Sequence, residues 1–371
     1  MASTKAIKES GSIQELVPLG EYQWPRSEAQ QTIGHLLEKV RLGFSAKASE
    51  DAIDDADLKT MSDETFEASV RNSLVETLTA SLDHEYHDWT FSETDKRSHR
   101  MLVHPPMGMD ILATWAKDHA LPTLDERSQL ATFSDAPCIV IPRLETFFFR
   151  RHDQLDRLVE LFAELSVFPG RVLVGCNSWA ARFLGQLDDT LLVLGQGDVF
   201  PAYGADALAT VLENAIDGST TFVSVSSGES ILKRDKDGDL SDPFLETLAD
   251  QSLGHPWVAI EMFFQGIAEA KDDDNSTKGR RAWVQLPAAC SLPEADKDVL
   301  LFVLHSLLIH GTRKIDEFEH LLPKRLPNGV WLALERAGYV DLIDGYVSCA
   351  IRNYPDIRSE LNAAGFNLDK L

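Results

Sequence analysis

The sequence predicts an α/β fold: a parallel sheet flanked by helices, preceded by a helical extension and followed by a small unit of three helices and a hairpin. Three observations predict it. Apolar runs at 138–141 (CIVI) and 172–174 (VLV) lack polar alternation, as strands do when both sheet faces are covered. Between them Leu155, Leu158, Val159, Phe162 and Leu165 share one helical stripe and Arg157, Glu160 and Glu164 the other, so residues 138–184 read strand, helix, strand, helix. Near the end, 297–310, 315–322 and 329–337 are helical patterns, and 339–342 and 346–350 flank a turn at Asp344-Gly345.

The chain has 371 residues, long enough for two or three separate cores. No apolar run approaches the roughly 20 residues of a membrane span, and MASTKAIKESGSIQE lacks a signal-peptide apolar core, so a cytoplasmic protein is expected. Cys138, Cys176, Cys290 and Cys349 stand far apart with no CxxC pair, which argues against a zinc ribbon or a disulfide framework. The formal charge of −24, from 35 Lys+Arg and 59 Asp+Glu, repels phosphate polymers and anionic lipid. Nucleic acid is not an expected partner.

In chain order, residues 1–18 are expected to be disordered, and Trp24-Pro25 to anchor the chain in a turn. Ser27, with Gln30 three residues on, opens a helix to about residue 43. The acidic stretch 46–64 reads as a solvated linker, and Val70, Leu74, Leu78 and Leu82 place a helix over 66–82. His84 and His87 flank Glu85-Tyr86, a spacing that is not HExxH, so a surface helix end is favoured over a metal site.

Residues 100–103 form a short apolar strand, followed by His104-Pro-Pro-Met-Gly-Met-Asp110 and a helix over 111–119. Strand, Pro/Gly loop and helix is the layout in which backbone N–H groups and a helix N-terminus cradle phosphate, so Pro106, Met107, Gly108, Met109 and Asp110 are the candidate phosphate loop. Against GxxxxGK[ST], with Gly108 as the second Gly, Val103 takes the first Gly position, Met109 that of the Lys and Asp110 that of the Ser/Thr. Asp110 would set a carboxylate against the phosphates, and Lys117 stands about two turns up the helix. After 138–141, where a Walker B strand ends in a Mg²⁺-holding Asp, stand Pro142-Arg143, with Glu145 the nearest acid. An ion pair between Arg143 and Glu145 at a helix start is expected.

The order of these parts resembles an AAA+/STAND-type P-loop NTPase over about residues 99–350. The loop at 104–110, the Walker B position at 138–143 and Asn177 in RVLVGCN at the sensor-1 position carry the resemblance. So does VFPAYGADALATVLENAI from Val199, similar to the family's "φ-x-Pro-Leu-x-x-x-x-Leu" opening of its helical lid. LADQSLGHPW from Leu248 is similar to the "LA-x-x-S-x-Gly-Asn-Pro" lid motif, with His255 where the family has Asn and no sensor-2 Arg. The resemblance implies a parallel P-loop NTPase-like sheet with a helical lid and a nucleotide-switch ancestry.

The domains expected are an N-terminal helical extension at 1–98, the α/β core at 99–215, a hairpin insertion and lid with a linker (271–281) at 216–285, and a winged helix at 286–371. Within the insertion, Phe222, Val223 and Val225 alternate before Gly228 as a hairpin does. Asp235, Asp237, Asp239, Ser241 and Glu246 imitate a calcium-binding EF loop, but its sixth position, which needs Gly, is Leu240 and its eighth is Asp242. An exposed acidic turn is favoured there. In the winged helix, 329–337 would be the groove-entering helix, yet residues 291–371 carry 9 Lys+Arg against 12 Asp+Glu and their basic cluster is only Lys324, Arg325 and Arg336. Docking to protein is favoured.

The Lys, the Ser/Thr and the Mg²⁺-binding Asp are missing together. The expected function is therefore that of a catalytically degenerate regulatory or scaffold protein acting through protein contacts, self-association included, with no cofactor. Two alternatives stay open. One is an active ATPase holding ATP and Mg²⁺ with Gly108, Glu145, Asn177 and Arg143; the other is a winged-helix DNA-binding regulator.

Overall fold

The computed structural model describes residues 13–25, 58–60, 64–92, 98–106, 110–125, 130–133, 136–150, 155–186, 194–195, 197–216, 220–270, 280–322, 326 and 329–371. In chain order the first elements are β1 (Val17–Pro18), β2 (Leu58–Thr60) and the helix α1 (Glu64–Phe91). Then come β3 (His99–His104), α2 (Ile111–Asp118), β4 (Cys138–Ile141), α3 (Asp156–Val167), β5 (Arg171–Asn177), α4 (Ser178–Leu184), β6 (Gly197–Val199) and α5 (Ala205–Ala215). The expected helix over 27–43 and residues 1–12 lie outside the described residues.

The central sheet has the order β1-β6-β3-β5-β4. Its four inner strands are parallel, with Val103 beside Cys176, Val103 beside Val199 and Ile141 beside Val174. β1 is an antiparallel edge, Val17 opposite Val199, although residues 13–18 fall in the stretch expected to be disordered. Beyond β4, Thr123 adds one parallel bridge to Val140. From β3 the chain thus runs outward to β4, returns to β5 and crosses β3 to reach β6. The carboxyl ends of β3 and β5 therefore lie where the direction of winding reverses, the position at which open α/β sheets form their crevice. This is the α/β architecture that the apolar runs predict, a mostly parallel sheet flanked by helices. Every residue of β4 and β5 is buried. A Cβ on Gly175 would stand 2.2 Å from the carbonyl oxygen of Pro142, so only glycine lets the chain leaving β4 cross β5 this closely.

α1 runs to Phe91, beyond the expected end at residue 82, because Tyr86 continues the stripe of Val70, Leu74, Leu78 and Leu82. Tyr86 Oη donates to Asp198 Oδ2 at 2.9 Å, and the Arg100 guanidinium lies over the Tyr86 ring while pairing with Glu85 and Asp198. One cation thus ties α1 to β3 and β6.

A second sheet, unforeseen in the sequence, is built from β2, β7 (Thr220–Ser224), β8 (Ile267–Ala270) and β9 (Arg280–Val284) in the order β2-β8-β9-β7. Between β7 and β8 lie α6 (Phe244–Gln251) and α7 (Pro256–Gln265). The hairpin expected around Gly228 is present as a short turn, with the bridge Val223–Ser230 flanked by the bonds Ser224 N–H to Glu229 and Ile231 N–H to Phe222, and β7 pairs in addition with β9, in parallel. Its inward Phe222 stacks on Phe66 of α1 and meets Phe263 of α7. β2 comes from the acidic stretch expected to be a linker, and of the linker expected at 271–281, Arg280 and Arg281 already belong to β9.

The C-terminal unit comprises α8 (Lys297–His310), β10 (Arg313–Lys314), α9 (Ile315–Glu319), α10 (Val330–Arg336), β11 (Val340–Ile343), β12 (Tyr346–Cys349) and α11 (Tyr354–Ala363). Its antiparallel sheet has the order β10-β12-β11. Asp344 and Gly345 form the hairpin turn with φ of 51° and 80°, the positive pair that matches strand twist. Helices and wing have the layout of a winged helix. Among the described residues, no helix is long and apolar enough to cross a membrane.

Candidate functional site

The crevice at the carboxyl ends of β3 and β5 is where the sequence places its phosphate loop. Met107, Gly108 and Met109 lie outside the described residues; His104, Pro105 and Pro106 before them are buried. The His104 Nδ1 is 2.9 Å from the Pro105 carbonyl oxygen, and burial lowers the pKa of its imidazole. Asp110 caps α2, its Oδ1 accepting the Ala113 N–H at 3.0 Å. Arg143 Nε stands 3.5 Å from Asp110 Oδ2. The expected Arg143–Glu145 pair is therefore corrected: Arg143 turns to Asp110, because Glu145 turns the other way.

Glu145 sits in the 3-10 turn Leu144–Phe147 and is 3% exposed. Its Oε2 accepts the backbone N–H of Asn177 at 3.2 Å, and its own carbonyl accepts Arg313 Nη2 at 2.9 Å. Asn177, at the end of β5, is used three times over. Its N–H goes to Glu145, its Oδ1 caps α4 through the Ala180 N–H at 2.8 Å, and its Nδ2 donates to the Ile309 carbonyl in α8 at 3.1 Å. The structure thus brings Glu145 and Asn177 together, and joins Arg143 to Asp110.

The C-terminal unit closes over the next turn of chain. Ser178 Oγ donates to Asp369 Oδ2 at 2.5 Å, Trp179 Nε1 to Tyr354 Oη at 2.9 Å, and Tyr354 Oη to Asp369 Oδ2 at 3.1 Å. Arg358 pairs with Asp369, and its guanidinium carbon lies 4.8 Å from the centre of the Trp24 ring. Trp24 thereby performs the anchoring expected of it. Tyr22 stacks on His255, the residue in the lid-motif position for Asn, and burial takes the His255 pKa down to about 3, with Arg358 adding to the effect. No sequence pattern announces this junction, in which the hydrogen-bonded pair Ser178 and Asp369 is 191 residues apart.

The acidic loop does not gather into a cation cage. Asp235 Oδ1 accepts the N–H groups of Asp237 and Asp239, making a tight turn, while Glu246 lies on α6. His84 faces Glu15 and His87 faces Asp88. Among the described residues, no group of three or more His, Cys, Asp or Glu side chains could hold a metal ion. Cys138 and Cys176 are free, buried thiols; burial pushes Cys138 up to about 12.

Strand order and the C-terminal layout define a class: an open, mostly parallel α/β sheet carrying a C-terminal unit of helices and a three-stranded antiparallel sheet. Among solved structures the chain is similar to the crystal structure of Cdc6p from Pyrobaculum aerophilum, at 14% identity over 79% of this chain and 94% of that one, with a TM-score of 0.31. No family model matches the chain, and no curated protein sequence matches it.

Proposed function

We propose that this chain is a catalytically degenerate P-loop NTPase-like scaffold, a regulatory protein that works through protein contacts. One observation carries the reading: the polar side chains expected around triphosphate already have protein partners. Asp110 holds the N-terminus of α2 and pairs with Arg143; Glu145 holds Asn177; Asn177 holds α4 and α8. An anion-binding helix N-terminus attracts phosphate through free N–H groups and the helix dipole. Here a carboxylate of the chain itself takes that place, so a phosphate would meet like charge. These residues do not fit ATP and magnesium.

Titration of the full chain with a fluorescent ATP analogue and Mg²⁺ tests the reading. No saturation is expected up to the millimolar range; saturable micromolar binding would sink it and restore the ATPase alternative. DNA binding gains no support from the wing, where Arg352 is paired with Asp341 at 3.0 Å and Asp344 forms the tip. Retention of random duplex in a low-salt gel shift would reverse that judgement.

A further inference from the structure

Beyond the sheet's mouth, the run Phe147-Phe148-Phe149-Arg150 leads the chain toward α8, and two clefts meet at Arg150. One, of about 320 Å³, is lined by Arg150, Arg182, Trp179, Phe183, His305 and Phe366, among others. The second, of about 620 Å³, adds Phe302, Ser306 and His310. Among the described residues neither cleft is lined by an aspartate or glutamate, in a chain where acids outnumber Lys and Arg by 59 to 35. The guanidinium carbon of Arg150 lies 5.6 Å from the centre of the Phe183 ring and 5.8 Å from that of Phe302. Its Nη1 is 3.0 Å from His305 Nδ1.

We propose that the clefts sharing Arg150 bind a small organic anion, a phosphate or carboxylate carried on a planar ring. Arg150 and Arg182 supply the charge. Among the described residues neither has a carboxylate partner, whereas arginines elsewhere in the chain, such as Arg71, Arg100 and Arg358, do. Phe183 and Phe366, both half-buried, supply flat apolar surface for a ring. His310, 1% exposed, lines the second cleft and accepts the Arg150 N–H on Nε2 at 3.3 Å, which fixes the backbone that carries Arg150.

Size and charge select a small ligand over a polymer. Clefts of a few hundred cubic ångströms that combine aromatic walls with converging polar side chains suit small molecules. A polyanion would also meet the repulsion of a −24 surface along its whole length, whereas a small anion meets the local cations at distances shorter than the screening length. Among the described residues, no candidate phosphate-loop residue lines either cleft, so the site stands whatever becomes of the nucleotide reading.

The test is isothermal titration of the full chain with phenyl phosphate, benzoate, inorganic phosphate and phenol. Saturable one-to-one binding of phenyl phosphate or benzoate is expected, and which of the two binds tighter assigns phosphate or carboxylate. Either should bind at least about tenfold tighter than phenol, the neutral ring, and weaken with salt. Arg150→Met keeps the apolar stem between the rings, Arg182→Met is the second variant, and each should weaken binding at least about tenfold. Absence of saturable heat for both aromatic anions, inorganic phosphate binding as tightly as phenyl phosphate, or unchanged affinity in a folded Arg182→Met protein would overturn the proposal.

Discussion

Asp369→Ala removes the carboxylate that Ser178, Tyr354 and Arg358 share. Both Arg358 and Asp369 are 6% exposed, so the substitution leaves a guanidinium in the interior against the Trp24 ring. Breaking one side of a buried ion pair costs about 3–5 kcal/mol, most of it the desolvation of the ion left behind. Two hydroxyl donors also lose their acceptor, at about 1 kcal/mol each if they find no other. The loss is therefore at least about 4 kcal/mol. For a cooperative unit of about 150–250 residues each kcal/mol moves the melting temperature about 2–4 °C, so the transition should fall by about 8–16 °C in differential scanning calorimetry. Arg358→Met combined with Asp369→Leu leaves no ion dry and should recover most of that loss. A single variant melting within about 2 °C of the parent, or a double variant melting below the single one, would refute the reasoning.

Other expectations follow from the same geometry. Asn177→Ala strips a helix cap and the donor to Ile309, and should cost about 1–3 kcal/mol in a urea titration with an unchanged slope; a cost under about 0.5 kcal/mol would mean the two bonds are idle. Gly175→Ala forces a methyl group onto the Pro142 carbonyl and should destabilise the chain by about 3 kcal/mol or more or abolish soluble expression, an outcome read from the same titration or from the soluble fraction. His255 has its folded pKa depressed to about 3, so the unfolded chain takes up its proton first. Its contribution is complete above the unfolded value near 6.5 and declines as pH falls toward 3. Between pH 7.5 and 5.5 His255→Leu should therefore lose about 1 kcal/mol less stability than the parent, and identical pH slopes in the two proteins would contradict the burial argument.

Much of the central sheet could be read from residues because its cause is local. The runs at 138–141 and 172–174 are uninterrupted since helices cover both faces, and the stripe from Leu155 to Leu165 has the helical period. The second sheet could not be read that way. β7 and β9 are partners across more than fifty residues, and β2 is a strand only because β8 offers it an edge. The candidate site divides along the same line. That Lys and Asp are missing from the loop and from the Walker B position is a matter of identity at a position, visible in the chain. Where Arg143 and Glu145 point depends on Asp110 and Asn177, which approach from other elements. The clefts at Arg150 were missed outright. Their one signal was three phenylalanines running into two arginines ahead of a helix, an apolar stretch that ends in charge.

The bond between Ser178 and Asp369 spans 191 positions of sequence. At about 5–20 residues per second, a ribosome needs roughly 10–40 s to travel from one to the other. Throughout that interval the nascent chain displays α4 bare, with Trp179 lacking the α11 tyrosine that later receives its N–H. Chaperones and partners that bind during translation thus meet a different surface from the one the finished protein presents.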